Sequence, residues 1–377
     1  MSDVSYAGAP GVTGTGPLVT QVYRNVPCTA QQGGGTIAPL AVIDVGQAGP
    51  ALLFWQASTW TTAAPTGEKA LPLINSQGQA ALETACFFNQ SSMHLPLVRR
   101  RALTESLIQG ESLVSAVSSG VTDLNDSITM ALIDLSDMSA PPQVRLSQLG
   151  TATGVSGQYT SQPFSCGGGL LVVSVGATAW TQNADTMTGA VLYLDGEPVA
   201  YPQLYANWAA LHLPLVGADL VLQVPAGGHT LDLMAMTGTM VDSNDVWSLH
   251  VMELQGGTLA QALQIVNQCP AQNGGGVVAS VPYYASGSGT QLICAQLSGF
   301  ATTKDTMLQA QVLVDGVAYG GMQLFANAAE LHLPLCGGDV SPGQLPQGQH
   351  TIEIVAGSAL VTDGNDRVSL TVLEVAP

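Results

Sequence analysis

Three histidines, His94, His212 and His332, each open the tetrapeptide His-Leu-Pro-Leu, at spacings of 118 and 120 residues. Imidazoles converging from three such places would suit Zn²⁺ or a small anion. The competing reading is a strand end, with two leucines entering a core and a proline where no ladder donor is needed. No carboxylate or cysteine is expected to keep pace with the histidine through all three motifs, as an ordering partner of a metal ligand would. The strand end is therefore the expectation. An Asp-x-Asn-Asp turn also recurs, as Asp123, Asn125 and Asp126, then Asp242, Asn244 and Asp245, then Asp363, Asn365 and Asp366. Carboxylates and an amide so spaced can cup Ca²⁺. They lack the ligand run and trailing Glu of a calcium loop, and the same residues make an Asx turn, so a structural turn is expected. Arg99, Arg100 and Arg101 follow the first motif where the others continue Gly-Ala-Asp and Gly-Gly-Asp. They read as a solvated loop or as a partner-binding point for an acidic surface, such as another subunit.

Outward from these motifs the register holds. LLVVSVGATAWTQNADTMTGAVLYLDG (170–196) lies over TQLICAQLSGFATTKDTMLQAQVLVDG (290–316), and VPAGGHTLDL (224–233) over LPQGQHTIEI (345–354). The first stretch is more diverged, yet LLFW (52–55) falls on LLVV (170–173). The reading is three tandem copies of about 120 residues, 28–136, 147–255 and 269–377, behind an extended Gly/Thr/Pro-rich arm over 1–27. In the closing segments Ile128, Met130 and Leu132 match Trp247, Leu249 and Val251, then Val368, Leu370 and Val372, with Thr, Ser, Ala or His mostly between. That is the period of a half-buried strand. LYLDG and VLVDG end in hairpin-type Asp-Gly turns. With 43 Gly, 21 Pro and few amphipathic windows, the predicted class is all-β: three tandem β-sandwich, jelly-roll-like domains. Helical turns are expected only at 106–117 and 258–266; the latter and 136–148 read as connections. His250, which matches Thr371 and Ala131 on the outward parity of the closing strand, reads as a surface residue.

Composition narrows the function. Of 377 residues 46% are hydrophobic, enough for sizeable cores, while only 9% are charged. Eight Lys and Arg stand against 26 Asp and Glu, a formal charge of -18 that repels phosphate backbones, so no nucleic-acid partner is expected. No stretch of 18 apolar residues and no signal-peptide pattern occurs, which predicts no membrane partner and synthesis in the cytoplasm. The six cysteines form no CxxC pair and read as free thiols. No nucleophile elbow, HExxH, phosphate loop or dinucleotide fingerprint appears, so neither catalytic residues nor a cofactor are expected.

GGHTLDL, GQHTIEI, DSNDVWSLHVMEL and DGNDRVSLTVLEV together resemble the β-sandwich modules of tailed-bacteriophage virion proteins, in head decoration, head fibre and tail roles. The resemblance covers the second and third copies and implies a protein that carries no cofactor, acts by binding other virion subunits, and resides in the virion of a phage made in the host cytoplasm. The expectation is thus a non-enzymatic capsid decoration, cement or head-fibre protein. The alternative is a tail-tip or fibre protein, or a binder or cleaver of host-surface carbohydrate, with Trp60, Trp180, Trp208 and Tyr201 stacking on sugar rings.

Overall fold

The computed structural model describes residues 19–376 apart from 46–47, 137, 155–156 and 256–257. Regular structure there consists of antiparallel strands and one short 3-10 turn, Ala80–Leu82. The fold is all-β and jelly-roll-like. No helix among the described residues is long and apolar enough to cross a membrane.

Each copy contributes an inner and an outer sheet. The inner sheets share one strand order: an opening strand (Val19–Pro27, Gln143–Thr151, Leu259–Gln268), the closing strand (Ser127–Asp134, Val246–Glu253, Arg367–Val375) and a central strand (Gly49–Thr59, Gly169–Ala179, Thr290–Gly299). The central strand then pairs with the strand that follows His-Leu-Pro-Leu (Arg100–Leu107, Ala218–Val224, Asp339–Gln344). Outer sheets are built around Gly110–Ser118 with Thr66–Ile74, Gly227–Ala235 with Thr186–Leu194, and Gly348–Ala356 with Thr306–Val314. The Asp-Gly hairpins are as read: Asp195 and Gly196 have φ of 52° and 87°, Asp315 and Gly316 of 50° and 79°, as a primed turn requires.

Four expectations need correction. Val19–Pro27 is no free arm, since it pairs with the closing strand of the first copy; residues 1–18 lie outside the described residues. Gly110–Ser118 and Leu259–Gln268 are strands where helical turns were expected, because in-register partners satisfy their backbone and override local propensity. Gln143–Thr151 and Leu259–Gln268 are opening strands where connections were expected, so the boundaries at 147 and 269 fall within or behind them. His250 is buried, only 2% exposed.

One fact explains the last correction. The outward face of each inner sheet is not wet but packs against the other copies. Leu52, Val172 and Leu292, then Ile133, Met252 and Leu373, then Leu135, Leu254 and Val375, occupy equivalent positions and join one apolar cluster separate from the sandwich cores; strand pairing thus sets LLFW (52–55) over VVSV (172–175), two residues on from the LLVV (170–173) expected from the sequence. From Ala51 and Leu171 onward the first two central strands are consequently buried on both faces and read as continuous apolar runs, Leu52-Leu53-Phe54-Trp55 and Leu171 to Val173. Leu373→Ala should therefore destabilise by about 2–5 kcal/mol, as much as Leu370→Ala inside the sandwich. Denaturant unfolding of the two variants checks this; a loss below about 0.5 kcal/mol for Leu373→Ala, the ordinary result at a solvated position, would contradict it.

Candidate functional site

The sequence-predicted groups fall into two places: a ring of histidine clusters between the copies and a charged layer at the seam. Proline ends the short bridge of each His-Leu-Pro-Leu to the central strand, and the leucines on either side of it are buried. This turns the histidine back over the Asn-Asp turn of its own copy. His94 Nδ1 lies 2.9 Å from Asp126 Oδ1, His212 Nδ1 2.9 Å from Asp245 Oδ1, and His332 Nδ1 2.8 Å from Asp366 Oδ1. A carboxylate thus does keep pace with the histidine, at separations of 32, 33 and 34 residues, contrary to expectation. That near-constant spacing was the signal available in the sequence. The three histidines serve three separate clusters and do not meet at one ion.

Each aspartate is fully engaged. Asp126 Oδ1 also accepts from Ser58 Oγ at 3.0 Å while Oδ2 accepts the Asp123 amide, and Thr178 with Asp242 and Ser298 with Asp363 repeat this at Asp245 and Asp366. Asp123, Asp242 and Asp363 in turn accept the amide of Asn125, Asn244 and Asn365, closing the Asx turn. Burial is the largest influence on Asp126 and Asp245 and raises both above the usual carboxylate range, against the histidine hydrogen bond that lowers them. The groups that could hold a metal are His94 with Asp123 and Asp126, His212 with Asp242 and Asp245, and His332 with Asp363 and Asp366, their ligand atoms within 4.8 Å of one another. To do so each would give up hydrogen bonds that now hold the turn. Ser58 likewise fails as a nucleophile, because its oxygen donates to Asp126 and accepts the Ser127 amide, leaving no contact with the imidazole.

The same histidines carry the contacts between copies. The backbone N–H of His94 donates to Asn327, that of His212 to Asn89, and that of His332 to Asn207, so the order is cyclic: third to first, first to second, second to third. Phe325, Phe87 and Tyr205 pack edge-on against His94, His212 and His332 in the same cyclic order, with ring centroids 5.1–5.3 Å apart. Trp60, Trp180 and Phe300 cover each imidazole from within its own copy. Two of the four aromatics considered for sugar binding are thereby occupied, whereas Trp208 and Tyr201 are exposed.

At the seam lies the correction with the widest consequences. Arg99, Arg100 and Arg101 form neither a solvated loop nor a docking point for another subunit; they are 7%, 2% and 2% exposed. The acidic surface they meet belongs to the same chain. Arg101 occupies the position equivalent to Asp219 and Asp339 and donates to both, to Asp219 Oδ2 at 3.2 Å and to Asp339 at 2.9 and 3.0 Å. Its guanidinium also stacks 4.5 Å over Phe54. Arg99 donates to both oxygens of Asp339, and Arg100 donates to the Gln148 carbonyl at 2.8 Å. Asp219 is lowered despite its burial because Arg101 and Arg99 flank it. Burial, with Arg100 and Arg101 beside it, pushes His250 down to about 3.

No protein-family model matches the chain, and no curated protein does. Among solved structures the chain is similar to PNGF-II at 8% identity over 87% of this chain and 98% of that one, with a TM-score of 0.30. It is similar to PNGase F, a glycosylasparaginase from Flavobacterium meningosepticum, at 9% identity over 63% and 96%, TM-score 0.32. It is also similar to an archaeal virus protein described by a triple jelly roll fold and turret assembly, at 9% identity over 96% and 90%, TM-score 0.22. The likeness is one of coarse all-β fold. PNGase F is an enzyme, and the expectation that this chain is not one is withdrawn.

Two predictions follow from the clusters and the seam. Asp245→Ala leaves an imidazole and a hydroxyl unpaired in a buried turn and should destabilise by about 3–5 kcal/mol, while Asn89→Ala, which orphans one amide of the next copy, should destabilise by about 1–3 kcal/mol; guanidinium unfolding that ranks them the other way would contradict the assignment. Because His250 titrates lower folded than unfolded, protons bind the unfolded chain first. The stability that neutral His250 provides is present above pH 6.5 and lost as pH falls toward 3, at up to about 1.4 kcal/mol per pH unit. His250→Thr, the residue of the third copy, should flatten the pH dependence of stability from pH 6.5 downward, and an unchanged slope would count against this origin.

Proposed function

We propose that the chain is a virion structural protein of the tailed-phage kind, in a capsid-decoration, cement or head-fibre role, and that its three copies stand in for the three subunits of a trimer. The observation that carries this reading is the cyclic His–Asn–aromatic contact. The residues best suited to chemistry hold three copies in one closed ring, which leaves the exterior for binding. The exterior is acidic, since among the described residues that are not buried carboxylates outnumber basic side chains.

The first copy is the one we assign to the particle. Its outer-sheet edge strand, Ala41–Val45, has no proline, whereas the corresponding edges Gln158–Cys166 and Val277–Ala285 carry Pro163 and Pro282, which blunt them against further pairing. Val42 on that edge and Leu40 just before it are 57% and 64% exposed. An open edge with exposed apolar side chains is suited to accepting a strand from another subunit. The double variant Leu40→Asp, Val42→Asp should keep the unfolding midpoint of the parent and lower incorporation into the native particle at least tenfold, scored by electron microscopy and gel densitometry of purified particles. Parental incorporation would refute the attachment through this edge.

A further inference from the structure

The three interfaces between copies differ at one equivalent spot. Ala85, Gln203 and Gln323 hold the same place in the outer sheets of the three copies, and Val246, Arg367 and Ser127 hold the same place at the start of the closing strand of the next copy round the ring. Between the first and second copies Ala85 and Val246 pack together with Val98. Between the second and third, Arg367 Nε donates to Gln203 Oε1 at 2.9 Å. Between the third and first the equivalent residue is only a serine, and a cleft of about 430 Å³ opens beside Gln323.

One wall of the cleft is the opening strand of the first copy. Gln21 fixes that strand to the third copy, donating to the Asp339 carbonyl at 2.9 Å and accepting the Ser341 N–H at 3.0 Å. Between Tyr23 and Val26 the strand bulges and Asn25 takes a φ of 54°, a device that re-aims side chains, here Arg24 and Asn25 toward the facing hairpin. The other wall is that hairpin, Thr306–Val314 with Val317–Ala326, which supplies Gln309, Gln311, Gln323 and Tyr319 and, at Gly320 and Gly321, backbone without side chains. These polar groups are little used by the fold. Of the eight basic side chains Arg24 alone has neither a hydrogen bond nor an ion pair among the described residues. The Gln309 and Gln323 side chains bond only each other, at 3.3 Å, the Gln311 amide and the Tyr319 hydroxyl have no partner among the described residues, and Asn25 Oδ1 is buried without one.

The lining selects a class of ligand. Each glutamine amide offers a donor and an acceptor side by side, which is what neighbouring hydroxyls on a sugar ring require. Tyr319 adds aromatic surface for the apolar face of such a ring, and the volume lies in the range of small-molecule sites. No carboxylate lines the cleft although the exterior is acidic, and its one charge is a guanidinium, whose fork matches a carboxylate. We infer that this cleft binds a sugar ring bearing a carboxylate, a uronic or nonulosonic acid residue of a glycan, with Arg24 on the carboxylate and the glutamine amides on the ring hydroxyls. The site is separate from the Ala41–Val45 edge, and sugar binding stands whether or not the chain is part of a particle.

The test uses the free full-length protein, so its failure leaves the particle reading untouched. Methyl glucuronide, galacturonic acid and N-acetylneuraminic acid are titrated by saturation-transfer NMR and calorimetry, with methyl glucoside as the neutral counterpart. At least one of the acids should bind with a Kd of about 1 mM or tighter, and methyl glucoside at least about tenfold more weakly. Arg24→Ala and Gln311→Ala alter exposed side chains that hold no contact in the fold, so both should keep the parental Tm; the first should weaken the acid at least about tenfold and the second at least about threefold. A crystal soaked in the tightest acid should show the ring between Arg24 and Gln311. Failure of all three acids to bind overturns the inference. So does a neutral sugar that binds as tightly as the acids, or an affinity unchanged in Arg24→Ala.

Discussion

The structure depends on a problem of like charge. Three copies closed in a ring bring the residue after each His-Leu-Pro-Leu strand end to the same seam, and in two copies that residue is an aspartate with little or no access to water. Three carboxylates there would repel one another in a medium where water cannot screen them. Because the copies are linked in one chain, a single one can change alone. The first carries Arg101 at that position, and one guanidinium bridges Asp219 and Asp339. A homotrimer has no such solution, since a substitution in one subunit is a substitution in all. Fusion of the copies and asymmetry of the seam are thus one device.

The seam also explains why side chains with chemical potential have turned inward. Each imidazole is held by its own aspartate, covered by its own copy's aromatic ring and used by the next copy's asparagine and aromatic. Pairing and burial of this kind fix orientation and position more than they add net stability. A second device of the same type locks each outer hairpin: His229 reaches Asp195 at 2.7 Å and His350 reaches Asp315 at 2.7 Å, so the Gly-x-His-Thr strand is pinned to the Asp-Gly turn. Those hydrogen bonds hold both histidines above their ordinary value and both aspartates below theirs.

Much of the fold was legible from pattern. Alternation in the closing segments located those strands, and the Asp-Gly turns located hairpins. What period-two reasoning lost was the second buried face. It treats every outward residue as wet, so His250 was placed in solvent, and the arginine run was read from its charge alone as a solvated loop or a docking point; the clue against both was the unbroken apolar run at Leu52 to Trp55. Opening strands were missed for a related reason. Leu259–Gln268 alternates weakly, and only its partner Arg367–Val375, about a hundred residues away in sequence, makes it a strand. The His–Asp clusters were half visible, because the histidines and the turns were each recognised but their matched spacing was not compared. The cleft between Arg24 and the glutamines of the third copy has meaning only once the copies are placed side by side.

The most direct test exchanges the charges. Arg101→Asp alone places a carboxylate at all three equivalent positions of the seam, and Arg101→Asp combined with Asp219→Arg moves the cation among those three positions to the second copy while keeping the total. Guanidinium unfolding at neutral pH should show a loss of about 3–5 kcal/mol or more for the single variant and recovery of at least half of it in the double. If the single variant is as stable as the parent, or if the double is no better than the sum of its parts, the seam is not governed by this charge layer.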